Sequence, residues 1–509
     1  MEEDNSNDSS ESNDEITEPG SDLASILSFL LQSGQVTLMR DGYSGGYSVS
    51  LRNSDSNTSN DNEDSVEKRG NKSPLPNECP PDTSVIDNST LKEIVSNDSG
   101  VYIERPQNIL QRVFQRESGC LKKRSHFLLS DQAVCSKSYL PNVCKVVAKY
   151  RSKAFCGLYS SDGNVFMSAC QDQHIRLYDT TNGKFKMFHD IIAKDVGWSI
   201  VDASYSPDQN YIIYSSWSEY VHLCNVYGGY ETHLALDLKP QESRFCAFSV
   251  CFSQDSKEIL AGGSDRCFYI YDISSDRRTT RVLAHDDDVN AVRFSNNSSS
   301  ILISGGDDGI CKVWDRRTMS KESPKPVGCF AGHTDGITYV CEKGDGQHFI
   351  TNSKDQSIKL WDSRRFSSEN TIKEFRRLVA NQSWDYRWEK APRRSLRHKG
   401  SLTNDAVMTY QGHSVLHTLL RAKFSPEFTT GQRYIYTGCA TGSLFIYDVL
   451  TGKVVTKLQG THRQCVRDVS WHPYECNIMS TSWDFTIGKW EYSSKPFEEC
   501  EIKKKRIKI

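Results

Sequence analysis

Several features are missing from this sequence, and each absence narrows what the protein can be. No excess of basic residues exists, because 62 Lys and Arg stand against 65 Asp and Glu, so no global positive field draws the chain to nucleic acid. No run approaches about 18 apolar residues, so no transmembrane helix is expected. The first residues are acidic and do not form a basic, then apolar leader, which argues against secretion. We expect a protein of the nucleus and cytoplasm.

Catalytic, nucleotide and metal motifs are also lacking. The sequence contains no GxxxxGK[ST], GxSxG or HExxH pattern. Its 17 cysteines are odd in number, never fall as CxxC, and often lie in apolar runs, as Cys251, Cys267 and Cys311 do. We therefore expect reduced, mostly buried thiols, without a disulfide framework or a zinc site. No catalytic residue, cofactor or metal is predicted, and the protein is expected not to be an enzyme.

The composition of residues 1–104 predicts an acidic, Ser- and Asn-rich region that is largely disordered. Residues 1–20 hold eight acids and no Lys or Arg, and residues 51–100 have a linker composition. One exception is a short amphipathic helix predicted near 22–33, whose apolar stripe fits either its own domain or a partner's groove. The stripe consists of Leu23, Ile26, Leu27, Leu30 and Leu31.

A second short helix is predicted at 106–118, within a lead-in region at 105–144. Pro106 suits the first helical turn and Gly119 suits the position after the last. The flanking Arg and Lys residues make this helix basic. Its apolar face would consist of Ile109, Leu110, Val113 and Phe114.

From about residue 145 the chain consists of repeated units, with alternating β-branched and aromatic runs separated by turns. The intervals between the ends of successive units are 46, 47, 43, 47, 86 and 43 residues. A turn residue lies seven positions before each end, at Asp172, Ser218, Asp265, Asp308, Asp355, Thr441 and Asp484. The units end at Asp179, Asn225, Asp272, Asp315, Asp362, Asp448 and Glu491.

These units resemble WD repeats, and the resemblance covers residues 145–491. It implies an all-β fold, a seven-bladed β-propeller at 145–492. In the family, four residues of a unit form a hydrogen-bonded network inside the blade, so their role is expected to be structural, as the pairing of buried polar groups requires. The matching sets are His285, Ser304, Asp308 and Trp314; His333, Thr351, Asp355 and Trp361; and His462, Ser480, Asp484 and Trp490.

The first two units depart from the pattern, because Tyr178 and Cys224 replace Trp, and their networks are expected to be incomplete. The strand KVVAKY at 145–150 is predicted to close the ring onto the last blade, which removes an open sheet edge. Residues 493–509 form a basic tail. Its lysines and arginine fit either a nuclear import signal or a solubilising tail.

The interval of 86 residues is read as an insertion near 364–405 in the fifth blade. The strand-like run at 406–410 stands directly before Gly412 and would be that blade's fourth strand, so an eighth blade is not favoured. Between residues 371 and 400, nine Lys and Arg face three acids. Three aromatic residues stand among them. Protein contact, single-stranded nucleic acid, and packing of the aromatics onto the propeller all remain open.

Arg317 and Arg364 each follow a closing Asp by two positions, which gives W-D-x-R in successive units. This pattern resembles the WD-repeat substrate receptors of cullin-four RING ubiquitin ligases. The resemblance implies that both Arg contact the ligase's large β-propeller adaptor, through which cullin-four is bound. It also implies that the 106–118 helix inserts its apolar face into that adaptor. The alternative is that each Arg only pairs with a turn acid.

Longer runs resemble one subgroup of these receptors, called DDB-one- and cullin-four-associated factor eleven or WD-repeat protein twenty-three. The resemblance implies a non-catalytic subunit that holds a protein substrate for ubiquitination and degradation; members are linked to turnover of a stress-response bZIP transcription factor. The alternative is a WD scaffold of an unrelated nuclear assembly in RNA processing or chromatin. The runs are FCGLYSSDGNVFMSACQDQHIRLYD, DVGWSIVDASYSPD, GGDDGICKVWDRRTM, NSKDQSIKLWD and CVRDVSWHP.

Substrate is expected on the propeller face opposite the turns between third and fourth strands. Asp286, Asp287, Asp288 and Asp307 would make an acidic patch there, which favours a basic recognition segment. The candidate substrate-face residues are Trp198, Trp217, Arg266, Asp286, Asp287, Asp307, Arg467 and Trp483.

Overall fold

We analysed a computed structural model of the chain. Two predicted features, the 22–33 helix and the C-terminal basic run, lie outside the described residues. The chain divides into two units, residues 1–72 and 73–509. In the first unit the structure describes an antiparallel hairpin of β1 (Val36–Arg40) and β2 (Tyr47–Leu51). The structure describes residues 36–40, 47–51, 81–101, 109–119, 127–228, 232–240, 244–295, 298–319, 324–392 and 405–494.

The second unit contains seven four-stranded antiparallel sheets, the blades of a β-propeller. The predicted all-β, seven-bladed fold is confirmed. The strands of the first three blades, in chain order from the innermost, are β4 (Ala154–Tyr159), β5 (Val165–Cys170), β6 (His174–Asp179) and β7 (Lys186–Ile192); β8 (Asp202–Tyr205), β9 (Tyr211–Ser215), β10 (Tyr220–Asn225) and β11 (His233–Asp237); β12 (Ala247–Phe252), β13 (Glu258–Gly263), β14 (Cys267–Asp272) and β15 (Arg277–Leu283).

Blades four to six follow the same order, from the innermost strand outward. Their strands are β16 (Val289–Ser295), β17 (Ser298–Gly306), β18 (Ile310–Asp315) and β19 (Gly328–Ala331); β20 (Ile337–Glu342), β21 (His348–Ser353), β22 (Ser357–Asp362) and β23 (Met408–Gln411); β24 (Ala422–Phe424), β25 (Tyr434–Gly438), β26 (Leu444–Asp448) and β27 (Val454–Leu458).

The seventh blade joins strands from both ends of the propeller region. It consists of β28 (Val466–Trp471), β29 (Ile478–Ser482), β30 (Thr486–Glu491) and β3 (Val143–Lys149). The antiparallel pairing of β3 with β30 runs from Val143 opposite Glu491 to Lys149 opposite Thr486. The predicted ring closure is therefore confirmed, and it covers a strand edge that would otherwise be open.

The core lies between neighbouring blades, where strands pack face to face. The second and third strands are almost fully buried because each blade is covered on both faces by its neighbours, and their sequences are correspondingly apolar. Trp314, Trp361 and Trp490 are among the largest fully buried side chains. The 14 cysteines in the described ranges carry free thiols, and most of them are buried.

Among the described residues, four short helices precede the propeller: α1 (Ser84–Asp87), α2 (Thr90–Asp98), α3 (Ile109–Glu117) and α4 (Leu129–Lys137). The linker prediction for residues 51–100 is wrong for the stretch that holds α1 and α2. Ile86, Leu91 and Val95 are fully buried in a cluster with apolar residues of blades five and six. The spacing of these three residues is hard to recognise in the sequence, because they belong to two short helices separated by a break that share one buried face.

The insertion of the fifth blade lies between β22 and β23, as predicted, and contains a helix that was not predicted, α5 (Glu369–Ala380). The Ser368 hydroxyl accepts a hydrogen bond of 3.2 Å from the Thr371 N–H and so caps its first turn. A further short helix, α6 (Glu427–Thr430), lies between the first two strands of blade six. None of the described helices is long and apolar enough to cross a bilayer.

Candidate functional site

The antiparallel order of each blade distributes its turns over two faces of the propeller. Turns between first and second strands and between third and fourth strands share what we call the lower face. Turns between second and third strands and the loops that enter each blade share the upper face. Because the seven blades repeat this order, residues from different units meet on one face.

Arg317 and Arg364 lie on the lower face, in the turns after β18 and β22. The Arg317 Nε and Nη2 donate to the Asp315 carboxylate at 3.0 and 2.8 Å, and its side chain is 70% exposed. Arg364 makes the same two contacts with Asp362 at 2.9 and 2.8 Å and is 52% exposed. Each arginine therefore pairs with the acid of its own turn, which was the alternative that the sequence left open. This pairing holds each guanidinium in one orientation and leaves much of it accessible.

The N-terminal helices lie beside the second of these arginines. The Arg364 Nη2 donates to the Thr90 hydroxyl at 3.4 Å, which brings the start of α2 to this turn. The end of α2 contacts the turn of blade six, where a Cβ on Gly431 would lie 2.5 Å from the Asp98 carbonyl carbon. Gly431 has a φ of 60°, so both its conformation and its neighbour favour glycine. The helices are therefore closely seated on the lower face.

Helix α3 presents an apolar surface on this side of the molecule. Leu110 and Phe114 are 74% and 71% exposed, Ile109 is exposed, and Val113 is half-buried. On the opposite side of the helix, the buried Arg112 donates to Asp131 of α4 at 2.7 Å. Since α4 packs against α6, whose turn is on the lower face, α3 is linked to the lower face through α4.

The upper face contains the predicted acidic residues, but two of them already have partners. Asp286 and Asp287 are exposed, and Asp286 forms an ion pair of 3.2 Å with Arg376 of α5. The Asp307 carboxylate accepts hydrogen bonds from Lys354 Nζ at 2.8 Å and from Asn290. The patch is thus less negative than its sequence indicates, because the chain supplies cations of its own.

Aromatic side chains lie on upper-face loops and innermost strands of blades one, two, three and seven. Trp198 and Trp217 are 52% and 47% exposed. Trp198 meets the ring of Phe155 edge to face, with centroids 5.4 Å apart, and Trp217 meets Phe248 in the same way at 6.2 Å. Trp483 is half-buried beside Phe155. Phe155 and Phe248 were missed because strand-lining aromatics give no signal of their own in the sequence.

Two predicted cations of the upper face behave differently. Arg266 is exposed at the tip of a turn, with a φ of 65°. Arg467 is only 2% exposed, and its two Nη atoms donate to the carbonyl oxygens of Phe155 and Val201 at 2.7 and 2.6 Å. Its assignment to the substrate face is therefore wrong. Arg467 points into the axis of the propeller, where it connects strands of three blades.

A buried ionic network also joins three blades near the axis, and no pattern in the sequence predicted it. Arg421 donates to Asp202 at 2.6 Å and to Asp468 at 3.0 Å, which joins blades two, six and seven. Lys423 reaches the same Asp468 carboxylate at 2.7 Å. Burial works against ionisation of Asp468, but the neighbouring Lys423 and Arg421 charges outweigh it and lower its pKa. The buried charges of the network satisfy one another.

The three predicted blade networks are present as hydrogen bonds. In blade four the His285 ring contacts Ser304 at 2.8 Å and Asp308 at 3.0 Å, and the Trp314 Nε1 donates to Ser304 at 2.9 Å. Blades five and seven repeat this arrangement. The remaining contacts join His333 to Thr351 and Asp355, Trp361 to Thr351, His462 to Ser480 and Asp484, and Trp490 to Ser480.

The first two blades contain other hydrogen bonds at these positions. The Tyr178 hydroxyl lies 2.7 Å from the Tyr150 hydroxyl, which lies 2.8 Å from Ser168. In blade two the Tyr214 hydroxyl contacts His233 at 2.8 Å. Tyrosine hydroxyls thus take part where the tryptophan is absent.

The insertion passes from the lower face, after Arg364, to the upper face. Phe375 of α5 is buried against apolar residues of blade four. The Trp384 Nε1 donates to Asp335 at 3.0 Å, and Lys354 Nζ lies 4.2 Å from the centre of the Tyr386 ring. Burial raises the pKa of Asp335 to about 6. Two of the three aromatics therefore pack onto the propeller.

Trp388, the third aromatic residue of the insertion, is exposed. It follows Arg387, whose carbonyl oxygen lies 3.1 Å from the ring nitrogen of His417 on the upper face. The insertion thus adds one exposed indole to that face.

The fold and its blade networks define the class of protein, a WD-repeat β-propeller. The family model described as "WD domain, G-beta repeat" matches residues 242–272, 277–315, 324–362 and 452–491. These segments include the three complete networks of blades four, five and seven.

Relatives identify the family within this class. The chain is 40% identical over 421 residues to the LEC14B protein of Lithospermum erythrorhizon, a match that covers 79% of this chain and 86% of the relative. It is 39% identical over 389 residues to a DDB1- and CUL4-associated factor 11 homolog of Caenorhabditis elegans, covering 74% and 67%. The corresponding Caenorhabditis briggsae protein is 37% identical, covering 76% and 71%. The chain belongs to the family of LEC14B and the DDB1- and CUL4-associated factor 11 homologs, as the sequence runs predicted.

Proposed function

We propose that this chain is the non-catalytic substrate-recognition subunit of a cullin-four RING ubiquitin ligase. The observation that carries the proposal is the composition of the lower face. Two exposed guanidinium groups, Arg317 and Arg364, are each held by a carboxylate of their own turn, and α3, which has an exposed apolar surface, is linked to the same face through α4. Two nematode relatives carry names that associate them with DDB1 and CUL4.

The lower face would bind the β-propeller adaptor of the ligase, DDB1. An interface needs apolar anchors at its centre and oriented polar groups that fix the register of the partners. Leu110 and Phe114 supply the anchors, while the arginine forks supply donors for carboxylates and carbonyl oxygens. Because Asp315 and Asp362 hold the forks in place, less side-chain entropy is lost on binding.

The upper face would hold the protein substrate. Ubiquitin transfer would take place on other subunits, and this chain would raise the local concentration of the substrate and orient it. Exposed Asp286 and Asp287 favour a basic segment. A stress-response bZIP transcription factor is one candidate, since proteins of that class carry a basic region.

The test is to isolate the protein from cells, as wild type and as Arg317→Glu/Arg364→Glu, and to identify bound proteins by mass spectrometry. We expect the adaptor with the wild type and its loss from the double variant, with the circular dichroism spectrum unchanged. Proteins that accumulate when the proteasome is inhibited and that still bind the variant would be substrate candidates. Absence of the adaptor from the wild type would favour the alternative, a WD scaffold of another nuclear assembly.

A further inference from the structure

Two half-exposed tryptophans lie side by side on the upper face. The loop that carries Trp198 touches the turn that carries Trp217, since a Cβ on Gly197 would lie 2.5 Å from the Trp217 carbonyl oxygen and 3.1 Å from its Cβ. Each indole is held by an edge-to-face contact with a phenylalanine on its inner side, Phe155 or Phe248. Both rings are therefore fixed in position while about half of each stays accessible.

The same two loops carry exposed carboxylates. Asp195 lies three residues before Trp198, and Glu219 lies two residues after Trp217. The Asp195 carboxylate is 3.2 Å from the ring of His222, but burial lowers the pKa of His222 to about 4. Since His222 is neutral at pH 7, it does not cancel the charge of Asp195.

Further charges lie on neighbouring loops of the upper face. Asp286 and Asp287 are exposed, and Asp286 pairs with Arg376 near the surface, a kind of pair that contributes little. Lys194 and Arg266 are exposed cations of this face. The four exposed acids named on these loops stand against two exposed cations, so the charge favours a cationic ligand but does not by itself make a site.

Two aromatic rings of the upper face already have a lysine ammonium group over them. Lys153 Nζ lies 4.1 Å from the centre of the Trp483 ring, and Lys354 Nζ lies 4.2 Å from the centre of the Tyr386 ring. Within the described part of the chain, no Lys or Arg takes this position over Trp198 or Trp217. The two indoles thus have accessible faces of the kind that elsewhere on this surface carry an ammonium group.

We propose that Trp198 and Trp217 form a cation–π site that takes a Lys or Arg side chain from a basic segment of the substrate. The proposal rests on the proposed function, in which the upper face holds the substrate. Tryptophan gives the strongest cation–π contact of the aromatic side chains, and the contact gains when the cation leaves water. Asp195 and Glu219 would attract the cation, and the rigid indoles would supply a preorganised contact surface.

The experiment measures binding of fluorescein-labelled peptides to the purified full chain by fluorescence anisotropy. The probe is a peptide of repeated Gly-Ser-Arg triplets. Matched peptides carry citrulline, which keeps the shape of arginine without its charge, or glutamate. Trp198→Leu and Trp217→Leu keep apolar volume but remove the aromatic face. Trp388→Leu, on the same face but in the insertion, is the matched control.

We expect the arginine peptide to bind, the citrulline and glutamate peptides not to bind, and each of Trp198→Leu and Trp217→Leu to weaken binding about 5- to 10-fold. Trp388→Leu should bind as the wild type does. The proposal would be overturned if the arginine peptide binds Trp198→Leu and Trp217→Leu as tightly as the wild type and its affinity varies only with salt concentration. That result would show binding to a charged surface without an aromatic site. Failure of the arginine peptide to bind, or preference for the glutamate peptide, would also overturn it.

The same preparations also separate this proposal from the proposed function. Circular dichroism shows whether each variant is folded, and adaptor binding is measured in parallel. Retained adaptor binding together with a failed peptide result would contradict the cation–π site alone. Failure of the wild type to bind the adaptor would contradict the receptor function.

Discussion

Buried histidines outside the tryptophan networks give this propeller a dependence on pH. His413 is buried between blades five and six, where its two ring nitrogens lie 3.0 Å from the Tyr447 hydroxyl and 3.0 Å from the Asn352 amide oxygen. Burial lowers the pKa of His413 to about 4 and does the same for His222 in blade two. Both rings are therefore neutral in the folded protein above pH 4.

This predicts that the protein loses stability as pH falls from about 6.5 to about 4. The unfolded chain binds protons at these histidines near pH 6.5, before the folded protein does, so the contribution is complete above that pH and is lost as pH falls towards 4. Each group contributes on the order of 3 kcal/mol at the acid end. Urea unfolding of wild type, His413→Gln and His222→Phe across this range measures the effect. An equal pH dependence in all three would contradict it.

Single residues were predictable where the repeat fixed their position. His285, Asp308 and Trp314 could be assigned because their spacing recurs in other units. Arg467 could not be placed in this way, because its direction depends on which side of β28 faces the axis, and one shift in a strand changes the side. Arg421 gave no signal at all, since its partners lie in two other blades, far from it in the sequence.

At the scale of elements, α3 is held on one side and exposed on the other. The buried Arg112–Asp131 contact of 2.7 Å fixes the helix to α4, while Leu110 and Phe114 face solvent. This arrangement agrees with the sequence, which predicted an apolar helix face at 106–118; the described part of the helix is Ile109–Glu117.

We predict that Leu110→Asp and Phe114→Asp weaken adaptor binding at least 10-fold without lowering the melting temperature. Truncation of an apolar interface anchor costs about 2 kcal/mol or more, whereas substitution of a solvent-exposed side chain has little effect on folding. Biolayer interferometry with purified adaptor and thermal melts measure both properties. Gln111→Asp, on the same helix, is the control for added charge. Variants that bind like the wild type would show that α3 does not contact the adaptor.

The elements that the sequence failed to predict share a cause. Helices α1, α2 and α5 lie in stretches with the composition of linkers or charged loops, yet each buries a few apolar residues, such as Leu91, Val95 and Phe375, against a finished propeller surface. These helices are stabilised mainly by tertiary packing against the propeller and not by their own helix propensity. The strands were predictable because their spacing and alternation recur in seven units.

At the scale of the whole molecule, the fold depends on a strand that lies far from its partner in the chain. β3 pairs with β30 along its length, so the last blade contains both ends of the propeller region. Without β3, the outer edge of β30 would expose unpaired N–H and C=O groups.

This predicts different behaviour for two shortened chains. A chain that begins at Leu140 lacks the N-terminal helices but keeps all the strands of the seven blades and should unfold cooperatively. A chain that begins at Arg151 lacks β3 and should aggregate or melt at a clearly lower temperature. Differential scanning calorimetry and light scattering compare the two. Equal melting of both chains would show that the closing strand is dispensable.

The central claim is that the lower face binds the cullin-four adaptor through Arg317 and Arg364. The most direct measurement is the affinity of the purified full chain for purified adaptor, for wild type, Arg317→Glu/Arg364→Glu, and the upper-face control Arg266→Glu. We expect the wild type and the control to bind the adaptor with the same affinity. The double variant should bind at least 10-fold more weakly, because two carboxylates would replace oriented hydrogen-bond donors. A wild type that does not bind, or a double variant that binds as tightly, would contradict the account.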